Sequence, residues 1–144
     1  RLVITSPDPV IFRADIVVDE SHINAANHVG NQTYVTIING VAEAFFKFRG
    51  VHPYTVGDQV LVNTEFSVQL KAESKSGDSL RVELGVDNFH RCGCDFIYKV
   101  NHGATEKLIA RAKFSFLCFD YRLGALCDAS EGFKDFFVPK VASK

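Results

Sequence analysis

One stretch constrains the fold of this chain more than any other. Residues 31–49 carry apolar side chains on nearly every side of a helical period, inside sequence that otherwise alternates. Tyr34, Val35, Ile37, Ile38, Val41, Ala42, Ala44, Phe45, Phe46 and Phe48 have helical spacing. A helix that is apolar almost all round must be surrounded, either by a core or by lipid. Its length would just permit a bilayer span, but Asn39, Glu43 and Lys47 make that costly. The segment therefore predicts a deeply buried core helix, with Asn31 as its N-cap and Gly50 as its stop.

The surrounding sequence reads as strands. Phe12, Ala14, Ile16 and Val18 alternate with Arg13 and Asp15 in a first strand. After the helix, Val60, Val62, Thr64, Phe66, Val68, Leu70 and Ala72 share one face of a second. Leu80, Val82, Leu84 and Val86 mark a third, residues 94–100 a fourth, and residues 107–120 a fifth. In the last of these Leu108, Ala110, Ala112, Phe114, Phe116 and Cys118 share a face. Ser76-Gly77-Asp78 and Asn101-His102-Gly103 supply turns, and the tail from Tyr121 looks irregular. The fold class this predicts is α+β: a five-stranded antiparallel sheet wrapped around one long buried helix. No linker divides the 144 residues, so a single domain covers 1–144. Such a sheet has open edges, and pairing with a second copy would cover them.

Composition excludes several functions. A net charge of −1, from 16 basic and 17 acidic side chains, argues against a nucleic-acid binder. Four cysteines are too few for a disulfide scaffold, and Cys92, Cys94, Cys118 and Cys127 read as small fillers in a reducing compartment. No basic-then-apolar leader opens the sequence, so a cytoplasmic protein is expected, with no membrane partner. Nothing calls for a cofactor.

The unusual segment is residues 19–31, which holds His22, His28, Asn24, Asn27, Asn31, Asp19 and Glu20. Short polar side chains before a helix often serve only as caps and turn formers. His22 and His28 as metal ligands are a further option, but their spacing carries no strong metal signature.

The run Asn27-His28-Val29-Gly30-Asn31-Gln32-Thr33-Tyr34 leads into the buried helix and is followed by four strands. In this it resembles the hotdog-fold acyl-CoA thioesterases of the 4-hydroxybenzoyl-CoA thioesterase type. Their pattern is D-x-D-x-x-G-H-V-N-N-x-x-Y, with a D-I-N and H-L-G-N variant matched here by His22-Ile23-Asn24 and His28-Val29-Gly30-Asn31. The resemblance implies a hotdog fold and an acyl-CoA substrate. It also implies a homodimer or homotetramer whose site lies at the dimer interface. The departures fall on the chemistry. The first Asp of the pattern is His22, the second is Asn24, and the helix motif N-E-A-R reads Asn39-Gly40-Val41-Ala42. A carboxylate can attack a thioester or deprotonate water, whereas an amide can do neither. The resemblance leaves Asn24 to position water or to donate to the thioester oxygen, and His28 to orient the loop or polarise the substrate. Glu43, one helical turn beyond Gly40, is a candidate replacement for the missing acid, and His22 or His28 a candidate base.

Backbone amides of Val29, Gly30 and Asn31 begin a helix whose positive end suits an oxyanion, with Tyr34 in the same substrate-binding run. Lys71 and Arg91 are candidates for the CoA phosphates, among other strand and turn cations at Lys75, Lys99, Arg111 and Lys113. Two functions stay open: hydrolysis of an acyl-CoA, and a non-catalytic hotdog protein that binds acyl-CoA or an acyl chain. A hydratase of the same fold lacks its motif in this sequence.

Overall fold

The apolar segment does form a helix, and its ends follow from local chemistry. α1 runs Asn31–Phe48. Its N-cap is Gly30, in extended conformation and with no side-chain cap bond, so Asn31 is the first helical residue and not the cap predicted for it. At the other end Gly50 takes φ 75, which frees its amide to donate to Lys47 O and that of Val51 to donate to Phe46 O. These are the paired bonds of a Schellman stop.

The computed structural model describes residues 2–139. Around α1 lie β1 (Phe12–Val17), β2 (Thr55–Val56), β3 (Gln59–Leu70), β4 (Ser79–His90), β5 (Gly93–His102), β6 (Leu108–Asp120) and β7 (Ala125–Leu126). A short 3-10 turn covers Glu20–His22, and α2 covers Phe133–Phe136. The strands form one antiparallel sheet in the order β1-β4-β5-β6-β3-β2, with β7 beside the end of β6. Five long strands match the predicted five. The two extra strands are two residues each, too short to show a period, and α2 likewise orders a tail expected to be irregular.

The sheet curls so that one face meets the helix. Leu80, Val82, Leu84, Phe96, Tyr98, Val100, Ala110 and Ala112 are buried in one cluster with Tyr34, Ile38, Val41, Phe45 and Phe46 of α1. Truncating a ring this deep, such as Phe46, costs about 3–5 kcal/mol. The helix is not enclosed all round: Thr36, Gly40, Glu43 and Lys47 form an exposed stripe, three to four residues apart. On the convex face the segment ahead of β1 crosses the sheet, burying Ile4 and packing Pro7 on Gly85.

β3 departs from the predicted single apolar face. A bulge shifts its register against β6 between Asn63 and Glu65, leaving Thr64 extra. Asn63 holds it by donating from Nδ2 to Glu65 O at 3.0 Å and to Ser115 O at 2.9 Å. One inserted residue turns every later side chain to the opposite face. Leu61 therefore faces the helix and Val62 does not, while Phe66 returns to the helix side and stacks on Phe114 at 5.0 Å. Phe66 remains 55% exposed, because its strand is bordered on the outer side only by β2 at Gln59 and Val60. Among the described residues the rest of that edge is unpaired.

Candidate active site

The polar segment before α1 folds as two small hydrogen-bonded units. In the first, Asp19 caps the 3-10 turn. Its carboxylate accepts from Ser21 N, and His22 Nδ1 accepts from Asp19 N at 3.0 Å. The Ser21 hydroxyl and amide bonds hold the Asp19 carboxyl below its ordinary range. In the second, Ile23 bridges Val29 and Asn24 closes the loop between them. Asn24 Oδ1 accepts from Ala26 N at 3.0 Å and His28 N at 3.2 Å, and the Asn24 backbone N–H donates to His28 O at 2.9 Å. Asn27 takes φ 65, a conformation asparagine tolerates better than most residues. The loop presents His28 beside the helix start.

The connection from β3 to β4 folds over the first turn of α1. Val29 N donates to Ser74 O at 3.3 Å, and the Tyr34 hydroxyl donates to Ser74 Oγ at 2.8 Å. Ser74 is only 2% exposed, and burial pushes the Tyr34 hydroxyl pKa up. The neighbouring Glu73 meets His28, with Nδ1 to Oε2 at 3.2 Å. This is a charge contact between a partly exposed ring and an exposed carboxylate, not a hydrogen bond.

These elements line an open cavity of about 770 Å³, formed by Asn24, His28, Val29, Gly30, Asn31, Gln32, Thr33, Tyr34, Leu70, Lys71, Ala72 and Glu73. Thr33 and Tyr34 amides both donate to Gly30 O, so the first-turn amides left without a partner among the described residues are those of Asn31 and Gln32, at the cavity. The site thus combines unsatisfied N–H groups at the positive end of a helix, a histidine beside a carboxylate, and one lysine.

Asn24, His28, Val29, Gly30, Asn31, Tyr34 and Lys71 therefore come together as the sequence groups them. Three other residues do not. His22 is engaged in the Asp19 cap and does not line the cavity. Arg91 sits on the β4–β5 turn, at the opposite end of the sheet from the β3–β4 connection, with its Nε 3.6 Å from Asp128 Oδ1. Glu43 lies in a second recess of about 270 Å³ with Asn39, Tyr54, Leu61, Asn63 and Phe116. There burial and the charge of Glu43 push the Tyr54 hydroxyl up to about 12. Glu73 and Ser74 are additions that no local period announced, since they gain their partners only when a strand connection crosses the helix. Among the described residues no three His, Cys, Asp or Glu side chains converge as metal ligands, and no helix is long and apolar enough to cross a membrane.

Solved structures share this architecture. The 1,4-dihydroxy-2-naphthoyl-CoA thioesterase of Synechocystis superposes with a TM-score of 0.76 at 17% identity, over 88% of this chain and 94% of that one. The probable thioesterase YbaW of Escherichia coli gives 0.72 at 12% identity, over 87% and 95%. The 12:0-ACP thioesterase of Umbellularia californica gives 0.79 at 15% identity, over 92% of this chain and 52% of that one. At such identities the likeness is one of fold, and the fold is the hotdog. A comparison with curated protein sequences found no match. The sequence profile of the thioesterase-like superfamily matches residues 18–137, from the end of β1 to the last buried ring of the tail, and the chain belongs to that family.

Proposed function

We propose that this protein hydrolyses an acyl-CoA thioester in the cavity at the start of α1. The observation that carries this is the meeting of the unsatisfied Asn31 and Gln32 amides with the His28–Glu73 pair around one cavity. Hydrolysis of a thioester puts negative charge on the carbonyl oxygen as water attacks, and preorganised amides at a helix N-terminus stabilise that charge. His28 Nε2 takes the proton from water, while Glu73 holds the ring in the required tautomer and supports the imidazolium that forms. Asn24 has committed Oδ1 to the loop, so only its Nδ2 remains to donate toward the substrate. Lys71 at the rim faces the anionic end of CoA.

The site is completed by a second copy. Beyond its β2 pairing at Gln59 and Val60, the outer β3 edge is unpaired among the described residues and carries Phe66 and Leu70 exposed, with Leu70 lining the cavity itself. Antiparallel pairing of two β3 edges would bring the first half of one β3, with the Glu43 recess beside it, to the partner's Leu70–Glu73 rim. Glu43 would then reach the thioester in trans, as a second carboxylate near the reacting atoms.

The other function is binding without turnover. One observation favours it: the position where the related pattern carries a catalytic Asp holds Asn24, whose acceptor oxygen is already engaged. Release of free thiol from short, medium, long and aromatic acyl-CoAs decides between them. Turnover that falls when His28 is replaced supports hydrolysis. Binding of acyl-CoA with no release across the panel would establish the binder.

A further inference from the structure

The four cysteines of the chain gather at the far end of β6, away from the cavity. Cys94 and Cys118 are buried there, and burial pushes the Cys118 thiol up to about 11 and the Cys94 thiol in the same direction. Cys92 and Cys127 are half-buried and reach solvent. Their backbones meet in an uncommon way. In a regular antiparallel ladder a single residue makes both hydrogen bonds to its partner. Here Cys118 N donates to Cys92 O at 2.8 Å, while Cys118 O accepts from Cys127 N at 3.0 Å. Cys92 and Cys127 thus share one partner residue and meet side by side on the same edge of β6, the neighbourhood a disulfide requires. Two further contacts hold the segments together. Ala129 N donates to Arg91 O at 2.7 Å, and Asp128 Oδ1 lies 3.6 Å from Cys92 Sγ.

We propose that Cys92 and Cys127 form an oxidation site that closes into a disulfide when the protein meets a hydroperoxide. In this proposal Cys127 is the attacking sulfur, held in place by Gln59 Nε2, which donates to its Sγ at 3.2 Å. The thiolate takes the terminal oxygen of hydrogen peroxide, breaking the O–O bond, to give a sulfenic acid and hydroxide, which leaves as water once protonated. Cys92 sulfur then displaces the sulfenic oxygen, and its own proton leaves with that oxygen as a second water. Two thiols and one peroxide thus become one disulfide and two waters. The bond would fasten the tail to the β4–β5 turn. That tail carries Phe133 and Phe137 into the core and places the Phe136 ring 4.2 Å beneath the Arg49 guanidinium.

Reduced protein treated with hydrogen peroxide tests this directly. The expected product has lost two hydrogens in intact mass and two thiols by titration, and a peptide map joins residue 92 to residue 127. Its melting temperature rises by roughly 10 °C, the effect of closing a loop of this span, and dithiothreitol reverses every change. Cys92→Ser and Cys127→Ser should each abolish the link. A linkage through Cys94 or Cys118, a bond between chains, or oxygen addition without any link would overturn the proposal. The wild-type peptide map decides the matter even if a serine variant folds poorly, and it does not depend on thioester hydrolysis.

Discussion

His28 and Asn24 stand four residues apart, and their contacts differ. His28 lines the cavity with Nδ1 3.2 Å from Glu73, and Asn24 ties together the loop that carries it. His28→Ala should lower kcat by about 10²–10⁴-fold, the usual contribution of a general base, measured by thiol release. Glu73→Gln should lower it less, and if Glu73 acts through the ring, as proposed, the double variant should be no slower than His28→Ala alone. Asn24→Asp keeps the acceptor oxygen and should leave stability unchanged, whereas Asn24→Ala frees two loop amides and should cost about 1 kcal/mol in urea denaturation. Sequence alone marked all three cavity-lining polar positions of the pre-helix segment, Asn24, His28 and Asn31. It could not find Glu73, which lies 45 residues from His28 in a stretch with no distinguishing pattern.

At the scale of elements, two glycines separate local preference from tertiary fit. Gly40 lies mid-helix on the exposed stripe, and a Cβ there would meet nothing within 4 Å. Gly40→Ala should therefore stabilise by about 1 kcal/mol through helix propensity. Gly93 opens β5 under the backbone of β6, where a Cβ would stand 2.0 Å from Phe116 O. Gly93→Ala should cost about 3 kcal/mol or more, since only backbone displacement relieves that contact. The turns joining strands carry a pH dependence as well. Asp78 accepts from Lys75 N at 3.0 Å and faces His102 Nε2 at 3.4 Å, and these contacts, the amide first, hold its carboxyl below the ordinary value. A carboxyl with a lower pKa folded than unfolded lends stability above its unfolded value. That stability is lost as pH falls through the folded one. Chemical-denaturation midpoints should drop below about pH 4, and Asp78→Asn should flatten that drop.

For the whole molecule the decisive feature is the stretch of β3 edge beside the cavity that is unpaired among the described residues. Sedimentation should find a dimer, and Phe66→Glu, which places a charge on the exposed ring position of that edge, should shift it toward monomer. If a second copy completes the site, turnover should fall with the dimer. Full activity in the monomer would confine the site to one chain and leave Glu43 as a surface carboxylate.

What the sequence determined by itself is the set of long elements, one helix and five strands, and their order. Helical and two-residue periods are local properties, strong in a stretch such as 31–48 and in strands that alternate cleanly. The residues bearing the family's pattern are contiguous, so they too were visible. The tertiary structure decided three things. The bulge at Thr64 turned the second half of β3 over, because ladder pairing with β6, not the side-chain period, sets which face a residue takes. The β3–β4 connection brought Glu73 to His28 and Ser74 to Tyr34, contacts between segments far apart along the chain. The closing of the tail against the β4–β5 turn placed Cys127 beside Cys92. Each depends on where one strand's end meets another, and a period read along a single segment carries no information about that meeting.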